Sequence, residues 1–402
     1  MKLLFVHDRF GSLGGAESNI VAVANALRER GHPTAILHGP ATGQGEEKWR
    51  QTFDACFALG RSGNCQTIQA ALWGFQPDVL YVHKMADLEV LQMVTGCGVP
   101  AVRMVHDHDM YCMRSYKYDW LSRKICTRPA SLYCVLRCGA CLARNRDKSG
   151  LWPLRWVSYR AKRKEIALNH GFCRLIVASE YMRRELLRNG FERERIRIHA
   201  PVPRAAEVRS TSTFSDRNLI VYSGQIIRGK GVDALLQALS EVTHPFECII
   251  LGDGNHKAYC EELARSLGLA KKVRFAGFVP QDELRRYYAE ATLSVMSSVW
   301  PEPFGASGLE AMRFGLPVVA FDAGAIREWL IDGVNGLLAP WMDTTGFAYR
   351  VNTLLANKPL ARKLGENARA SVNEQFEFSK YISDLEGLFG EVCKATREEV
   401  GV

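Results

Sequence analysis

Two carboxylates, Glu302 and Glu310, stand with seven residues between them in Pro301-Glu302-Pro303-Phe304-Gly305-Ala306-Ser307-Gly308-Leu309-Glu310. The first lies in a Pro- and Gly-rich loop and the second on a helix that the pattern starts near Ser307. The amides of Phe304, Gly305 and Ala306 then point into the space between them. Two acceptor groups flanking free N–H donors suit a polyhydroxylated ligand. The plain alternative is a pair of acids that favours the positive end of a helix dipole.

Three glycine-rich segments follow strands and precede helices, where free helix N–H groups attract anions. Gly11-Ser12-Leu13-Gly14-Gly15-Ala16-Glu17 lacks the spacing and the acidic ribose ligand of a dinucleotide fingerprint. Ser223-Gly224-Gln225-Ile226-Ile227-Arg228-Gly229-Lys230-Gly231 nearly spells a P-loop, but Gly231 replaces the Ser or Thr that would hold magnesium. A metal-free loop that holds a diphosphate through Lys230 and backbone amides fits better than an ATPase. Leu251-Gly252-Asp253-Gly254-Asn255 is ordinary turn chemistry, with added weight because it falls at the carboxyl edge of a parallel sheet.

The elements that must position these loops alternate β and α. Strands are read at Leu3–Val6, Asp78–Val82, Ala101–Val105 and Leu175–Ala178, with a helix over Ala16–Arg30 closed by Gly31. The pattern restarts at Leu219, with strands at Leu219–Ser223, Cys248–Leu251, Val273–Ala276, Leu293–Val295 and Val318–Phe321. This predicts two doubly wound α/β domains with parallel sheets. They join near residues 201–217, and the chain from Lys358 onward is helical.

At 402 residues, 47% hydrophobic and 24% charged, the chain has material for two ordinary cores. No apolar run reaches the length of a membrane span, and Leu3-Leu4-Phe5-Val6 is too short for a signal peptide. Twelve cysteines without an export signal point to a reducing, cytoplasmic setting. The net charge of +9 is uneven: residues 103–209 carry 24 Lys and Arg against 10 Asp and Glu, and the remainder is acidic overall. A basic half implies an anionic partner.

These segments together resemble glycosyltransferase family 4, the group 1 retaining enzymes. The resemblance rests on Gly14-Gly15-Ala16-Glu17, Arg30-Gly31-His32, Val105-His106-Asp107, Gly224 with Lys230-Gly231, Gly252-Asp253-Gly254, Gly277, and Glu302 with Glu310. It implies the GT-B fold: two Rossmann-like domains facing across a cleft, an acceptor-side domain over 1–205 and a nucleotide-sugar domain over 206–379. A final helix over 380–402 returns to the first domain. It also implies roles. Glu302 binds sugar hydroxyls, Glu310 the ribose, and Lys230 neutralises the diphosphate. Phe304 and Gly305 offer amides, Gly14 and Gly15 approach the phosphates, His106 contacts the sugar, and Gly252, Gly254 and Gly277 line the nucleotide pocket. One departure is Gln225, where the family carries Arg; Arg228 is the cation that could replace it.

The implied reaction transfers a sugar from a UDP- or GDP-sugar to a glycan or polyprenyl- or lipid-linked acceptor, in envelope or extracellular polysaccharide assembly. A non-catalytic glycan- or partner-binding protein and a nucleotide-sugar epimerase are the alternatives. Nucleic acid is not an expected partner, and no cofactor is required for catalysis. Asp107-His108-Asp109 resembles a metal motif and is read as a coincidence beside His106.

Two features sit outside this scheme. Cys126, Cys134, Cys138 and Cys141, with Cys112 nearby, fall in an insertion over about 107–150, and their spacing is that of a structural zinc; buried or redox-active thiols are the alternative. Trp152–Arg160 and Lys162-Arg163-Lys164 mix aromatic and basic residues, which suits peripheral docking on the inner face of the cytoplasmic membrane. A surface helix with packed tryptophans would read the same way.

Overall fold

The computed structural model describes the whole chain except Leu13, Arg61, Ser62, Trp120, Leu121, residues 145–153, residues 203–211, Asp216, Gln281, Asp282, Gly401 and Val402. Most of the expected linker therefore lies outside the described residues. The chain divides into two units: Met1–Trp120 with Cys126–Arg204 and Phe378–Val402, and Leu121–Ile125 with Ala205–Glu377.

The first unit contains strands β1 (Leu3–His7), β2 (Thr34–His38), β3 (Ala55–Ala58), β4 (Val79–Val82), β5 (Ala101–Val105), β6 (Leu142–Arg144), β7 (Leu154–Trp156), β8 (Arg174–Val177) and β9 (Ile196–Ile198). Its helices are α1 (Gly15–Glu29), α2 (Glu46–Thr52), α3 (Cys65–Phe75), α4 (Leu88–Gly96), α5 (Leu132–Leu136), α6 (Tyr159–Asn169) and α7 (Glu180–Arg188). Seven strands form one sheet in the order β3-β2-β1-β4-β5-β8-β9, and β6 and β7 make a separate antiparallel hairpin. All pairs in the large sheet are parallel. The unbroken apolar runs explain this, because β1, β4 and β5 are buried on both faces.

The second unit contains β10 (Leu219–Ser223), β11 (Glu247–Leu251), β12 (Val273–Gly277), β13 (Leu293–Met296), β14 (Val318–Phe321) and β15 (Gly336–Ala339). Between and after them lie α8 (Val232–Ser240), α9 (Lys257–Ser266), α10 (Leu284–Tyr288), α11 (Ala306–Arg313), α12 (Thr344–Ala356) and α13 (Lys358–Gln375). The sheet is parallel in the order β12-β11-β10-β13-β14-β15. Strand order reverses between β10 and β13, and the crevice at the carboxyl ends there is where open α/β sheets bind ligands. The core packs Ile220, Tyr222, Leu235, Ile250, Val295, Val319 and Phe347.

The helical tail is broken at Phe376 and Glu377 into α13 and α14 (Phe378–Val400). α14 belongs to the first unit. Phe389 packs edge-on against Tyr81 with ring centroids 5.1 Å apart. Arg30 and His32 both hold Glu386, the latter at 2.7 Å. Among the described residues no helix is long and apolar enough to cross a membrane.

Candidate active site

In the second unit, two loops at the switch point are knitted together by main-chain bonds. Val299 and Trp300 donate their amides to the Gly229 carbonyl at 2.9 and 3.0 Å, and Ser297 Oγ donates to the Lys230 carbonyl at 3.1 Å. Gly231 follows with φ +65°, and a Cβ there would lie 2.0 Å from the Ser297 carbonyl oxygen, so only glycine fits. This clamp delivers Lys230, from the loop after β10, to Glu302, from the loop after β13.

Lys230 Nζ donates to Glu302 Oε1 at 2.6 Å and lies 5.0 Å from the Trp300 ring centroid. Trp300 Nε1 donates to the same oxygen at 3.0 Å, and Ser298 Oγ also donates to it. Glu302 is only 3% exposed. Burial alone would raise its pKa, but Lys230, Ser298 and Trp300 hold the carboxyl below the usual range. All three donors converge on Oε1. Oε2 makes no hydrogen bond with any described residue and is left as a fixed acceptor beside an ammonium.

Phe304 and Gly305 complete the approach to α11. Gly305, at φ +91°, caps the helix; Gly308 N donates back to the Gly305 carbonyl at 3.0 Å, and the amides of Ala306 and Ser307 have no acceptor among the described residues. Trp329 Nε1 donates to the Phe304 carbonyl at 2.6 Å, and the Phe304 ring packs edge-on to Phe376 at 5.5 Å. Glu310 is half-buried on the same helix, near Tyr288 and Arg313.

Three glycines line the carboxyl edge of neighbouring strands. Gly252 N donates to the Gly277 carbonyl at 2.7 Å, and Gly224 N to the Leu251 carbonyl at 3.0 Å. A Cβ on Gly252 would lie 1.9 Å from the Gly224 carbonyl oxygen, and one on Gly254 2.4 Å from that of Ile226. Gln225 is exposed. Arg228 is also exposed, and its guanidinium makes no hydrogen bond among the described residues.

The sequence reading missed Ser298 and Trp300, which load Glu302, although a tryptophan two residues before the acid was a usable signal. It also missed Arg123. That residue's guanidinium grips Asp233 at 2.8 and 3.0 Å and donates to the Arg228 carbonyl at 2.7 Å. Its position, some hundred residues upstream in the Cys-rich insertion, gave no hint.

In the first unit, Gly14 and Gly15 sit where expected, at the start of α1. Gly14 is its extended N-cap, with no side-chain cap bond. His106 directly follows β5. A pocket of about 40 Å³ opens beside it, lined by Asp8, His83, Lys84, Asp107 and Asp109 among others. Lys84 Nζ bridges Asp107 and Asp109, the latter at 3.3 Å, so an ammonium occupies the centre of the Asp-His-Asp motif. Burial drives the His106 ring down to about 3, helped by His7 and Lys84, so it is neutral at neutral pH.

Cys134, Cys138 and Cys141 pack with Met113 and Ala140, while Cys112 borders the main core. Among the described residues no three His, Cys, Asp or Glu side chains are grouped as metal ligands. A structural zinc stays a proposal, to be decided by metal analysis of protein purified without an affinity metal. Of the basic stretch, Arg160, Arg163 and Lys164 are exposed on α6, whereas Lys162 turns inward to Glu165 and the Asp109 carbonyl. Trp152 lies outside the described residues.

Comparison with known proteins agrees with this layout. Residues 13–201 match the model for Glycosyltransferase Family 4, and residues 204–371 match that for Glycosyl transferases group 1. An uncharacterized glycosyltransferase of Methanocaldococcus jannaschii is 30% identical over 45% of this chain and 47% of its own length. The alpha-D-kanosaminyltransferase of Streptomyces kanamyceticus is 29% identical over 47% of this chain and 50% of its own. The chain thus spans about half the length of the curated relatives it matches. The structure of Anabaena HepE in complex with UDP-glucose superposes with a TM-score of 0.74, at 19% identity, over 97% of this chain and 100% of that one. The shared fold is GT-B. With both halves matched and the fold in common, this chain belongs to the group 1 glycosyltransferases of family 4.

Proposed function

We propose that this chain transfers a sugar from a nucleoside diphosphate sugar, of the UDP or GDP type, to a hydroxyl of a glycan or lipid-linked acceptor, with retention at the anomeric carbon. The observation that carries this is the Lys230–Glu302 pair at the switch point, with Oε2 of Glu302 unbonded among the described residues, in the loop that leads into α11 and its free Ala306 and Ser307 amides. In this reading Oε2 accepts from sugar hydroxyls. Lys230 and the helix-end amides stabilise the charge that develops on the diphosphate, at about 3–4 kcal/mol per well-placed donor. The acceptor oxygen forms the new bond to the anomeric carbon on the leaving-group face as the carbon–oxygen bond to the diphosphate breaks. The nucleoside diphosphate leaves with the electron pair, and the acceptor proton passes to the diphosphate or to solvent. A relative of the same fold was crystallised with UDP and glucose, which supports a donor of this class.

Nucleotide release from a panel of UDP- and GDP-sugars, with and without a glycan or lipid-linked acceptor, tests the reading. Release that depends on acceptor supports transfer. Donor conversion without any acceptor would favour an epimerase, and no turnover with any donor would favour a non-catalytic binding protein. The exposed Arg160, Arg163 and Lys164 further support docking of the first unit on anionic lipid at the inner face of the cytoplasmic membrane, in envelope or extracellular polysaccharide assembly. Sedimentation with anionic vesicles checks this, and its loss in an Arg160→Ala, Arg163→Ala, Lys164→Ala triple variant is the expected result.

A further inference from the structure

Three histidines follow three strands of the first sheet: His7 ends β1, His83 follows β4 and His106 follows β5. The parallel register places Val6 beside Val82 and Val82 beside Arg103, so these strand ends are neighbours. His83 Nδ1 lies 2.8 Å from His106 Nε2. The ring centroids are 5.1 Å apart and the planes differ by 21°. An imidazole nitrogen lies just over 1 Å from its ring centre. That centroid distance is therefore what two nearly coplanar rings give when they meet edge to edge through one N–H···N bond. The pair is hydrogen-bonded in plane rather than stacked face to face.

One proton occupies that bond, and the surroundings of His83 decide which ring supplies it. His83 is 1% exposed and its Nε2 has no hydrogen-bond partner. Phe5 lies parallel to the ring, Tyr81 packs edge-on at 4.3 Å, and His7 stands perpendicular at 6.4 Å. If His106 were the donor, a neutral His83 would carry its proton on Nε2, leaving a buried N–H with no acceptor. If His83 is the donor, only a bare nitrogen lone pair is left in that apolar pocket. Orphaned buried N–H groups are the rarer and costlier outcome. Both rings are neutral at neutral pH, because burial disfavours the charged form of each.

We propose that His83 is a positioning residue for His106: its Nδ1–H donates to His106 Nε2, which fixes His106 as the Nδ1–H tautomer and makes that ring a hydrogen-bond donor on its open side. His106 Nδ1 makes no hydrogen bond among the described residues, and the ring is partly exposed beside the pocket. The inference rests on the reading that His106 contacts the transferred sugar. It adds the sense of that contact: His106 donates a hydrogen bond to a hydroxyl or diphosphate oxygen and accepts none. The partner of a functional histidine sets which ring nitrogen is protonated.

Long-range ¹⁵N–¹H correlation spectra of the ¹⁵N-histidine-labelled full chain test this directly, with His83 and His106 assigned by the loss of their signals in single variants. The expected result is His106 protonated on Nδ1 and bare on Nε2; protonation on Nε2 overturns the proposal. In His83→Phe the ring shape stays and the donor goes. His106 is then expected to leave the Nδ1–H form, and kcat to fall roughly ten- to hundredfold with little change in donor KM. His83→Asn places an amide N–H near the same point and should recover most of kcat. Recovery no better than with Phe, in a folded protein, would also overturn the proposal. If His106→Ala leaves turnover intact while the wild-type tautomer is as expected, the contact of His106 with sugar is wrong and the His83 bond stands.

Discussion

Lys230 Nζ and Glu302 Oε1 lie 2.6 Å apart, joining the loop that follows β10 to the loop that follows β13 across the point where strand order reverses. Neither group is spare. The carboxylate orients the ammonium, and the ammonium, with Ser298 and Trp300, keeps the carboxylate ionised in a buried place. Residues that act as one unit give non-additive losses. Lys230→Ala is expected to lower kcat roughly a hundred- to a thousandfold, and Glu302→Gln to cost a similar factor. The double variant should be little worse than either single one. Steady-state nucleotide release from the four proteins checks this; losses that multiply would mean the two residues serve separate steps.

Gly324 is what lets Glu302 sit where it does. Its φ is +71°, and a Cβ there would lie 2.4 Å from both the amide nitrogen and the carbonyl oxygen of Glu302. The two segments are bonded as a parallel bridge, with Ala325 N donating to the Glu302 carbonyl at 2.9 Å. Gly324→Ala must push the Glu302 segment away and strain its own backbone, at about 1–3 kcal/mol. Urea unfolding should show that loss, and donor KM should rise. An unchanged KM would show that the carboxylate tolerates displacement.

The residues that the second unit brings together at its switch point were legible in the sequence because they are close along the chain. Gly305, Phe304 and Glu310 follow Glu302 within one loop and one helix, and Gly224, Gly252 and Gly277 fall at strand ends. Strands β10 and β14 fall at their predicted limits because they are short apolar runs bounded by turns. What the sequence hid is what depends on contacts distant along the chain. Arg123 reaches Asp233 from 110 positions upstream, and no period or motif links them. His83 and His106 are 23 positions apart, and they meet only because β4 and β5 are adjacent strands. The thiols show the same limit: Cys138 and Cys141 have the ligand interval, but that they pack with Met113 and Ala140 could not be read from spacing.

Glu17 makes the acid stability of the first unit testable. It is 6% exposed, with Oε1 3.5 Å from His7 Nε2. Burial alone would push its pKa up, but the adjacent His7 ring, its own backbone amide and the charge of Lys84 bring it down from the ordinary 4.5 to about 2. A depressed folded pKa contributes stability that is present above the unfolded value and is lost as pH falls through the folded one. The contribution is on the order of 3 kcal/mol, present above about pH 4.5 and lost progressively toward pH 2. Glu17→Gln should lower stability near neutral pH and flatten the decline between those limits. Denaturant unfolding across that range checks it, and a slope equal to wild type would show that Glu17 is not held ionised.

The last helix gives a prediction about folding rather than chemistry. α14 follows the second unit in the chain but belongs to the first, where Tyr381, Ile382, Leu385, Phe389 and Val392 are buried. Phe389 is fully buried and meets Tyr81 on β4, whose next-but-one residue is His83. Removing the ring leaves a cavity beneath that strand, so Phe389→Ala should cost about 3–5 kcal/mol. The polar clamp is different in kind. Arg30 and Glu386 are partly solvated, so Arg30→Ala should cost no more than about 1 kcal/mol. The pair of variants separates two ways a chain end can be fixed. Apolar burial predicts a large loss on Phe389→Ala that salt does not change; an ion-pair anchor predicts the reverse order and a loss that shrinks in high salt. Because His83 directly follows β4, the Phe389 variant should also perturb the His83–His106 bond, seen as a shifted imidazole nitrogen signal, whereas the Arg30 variant should leave it unchanged.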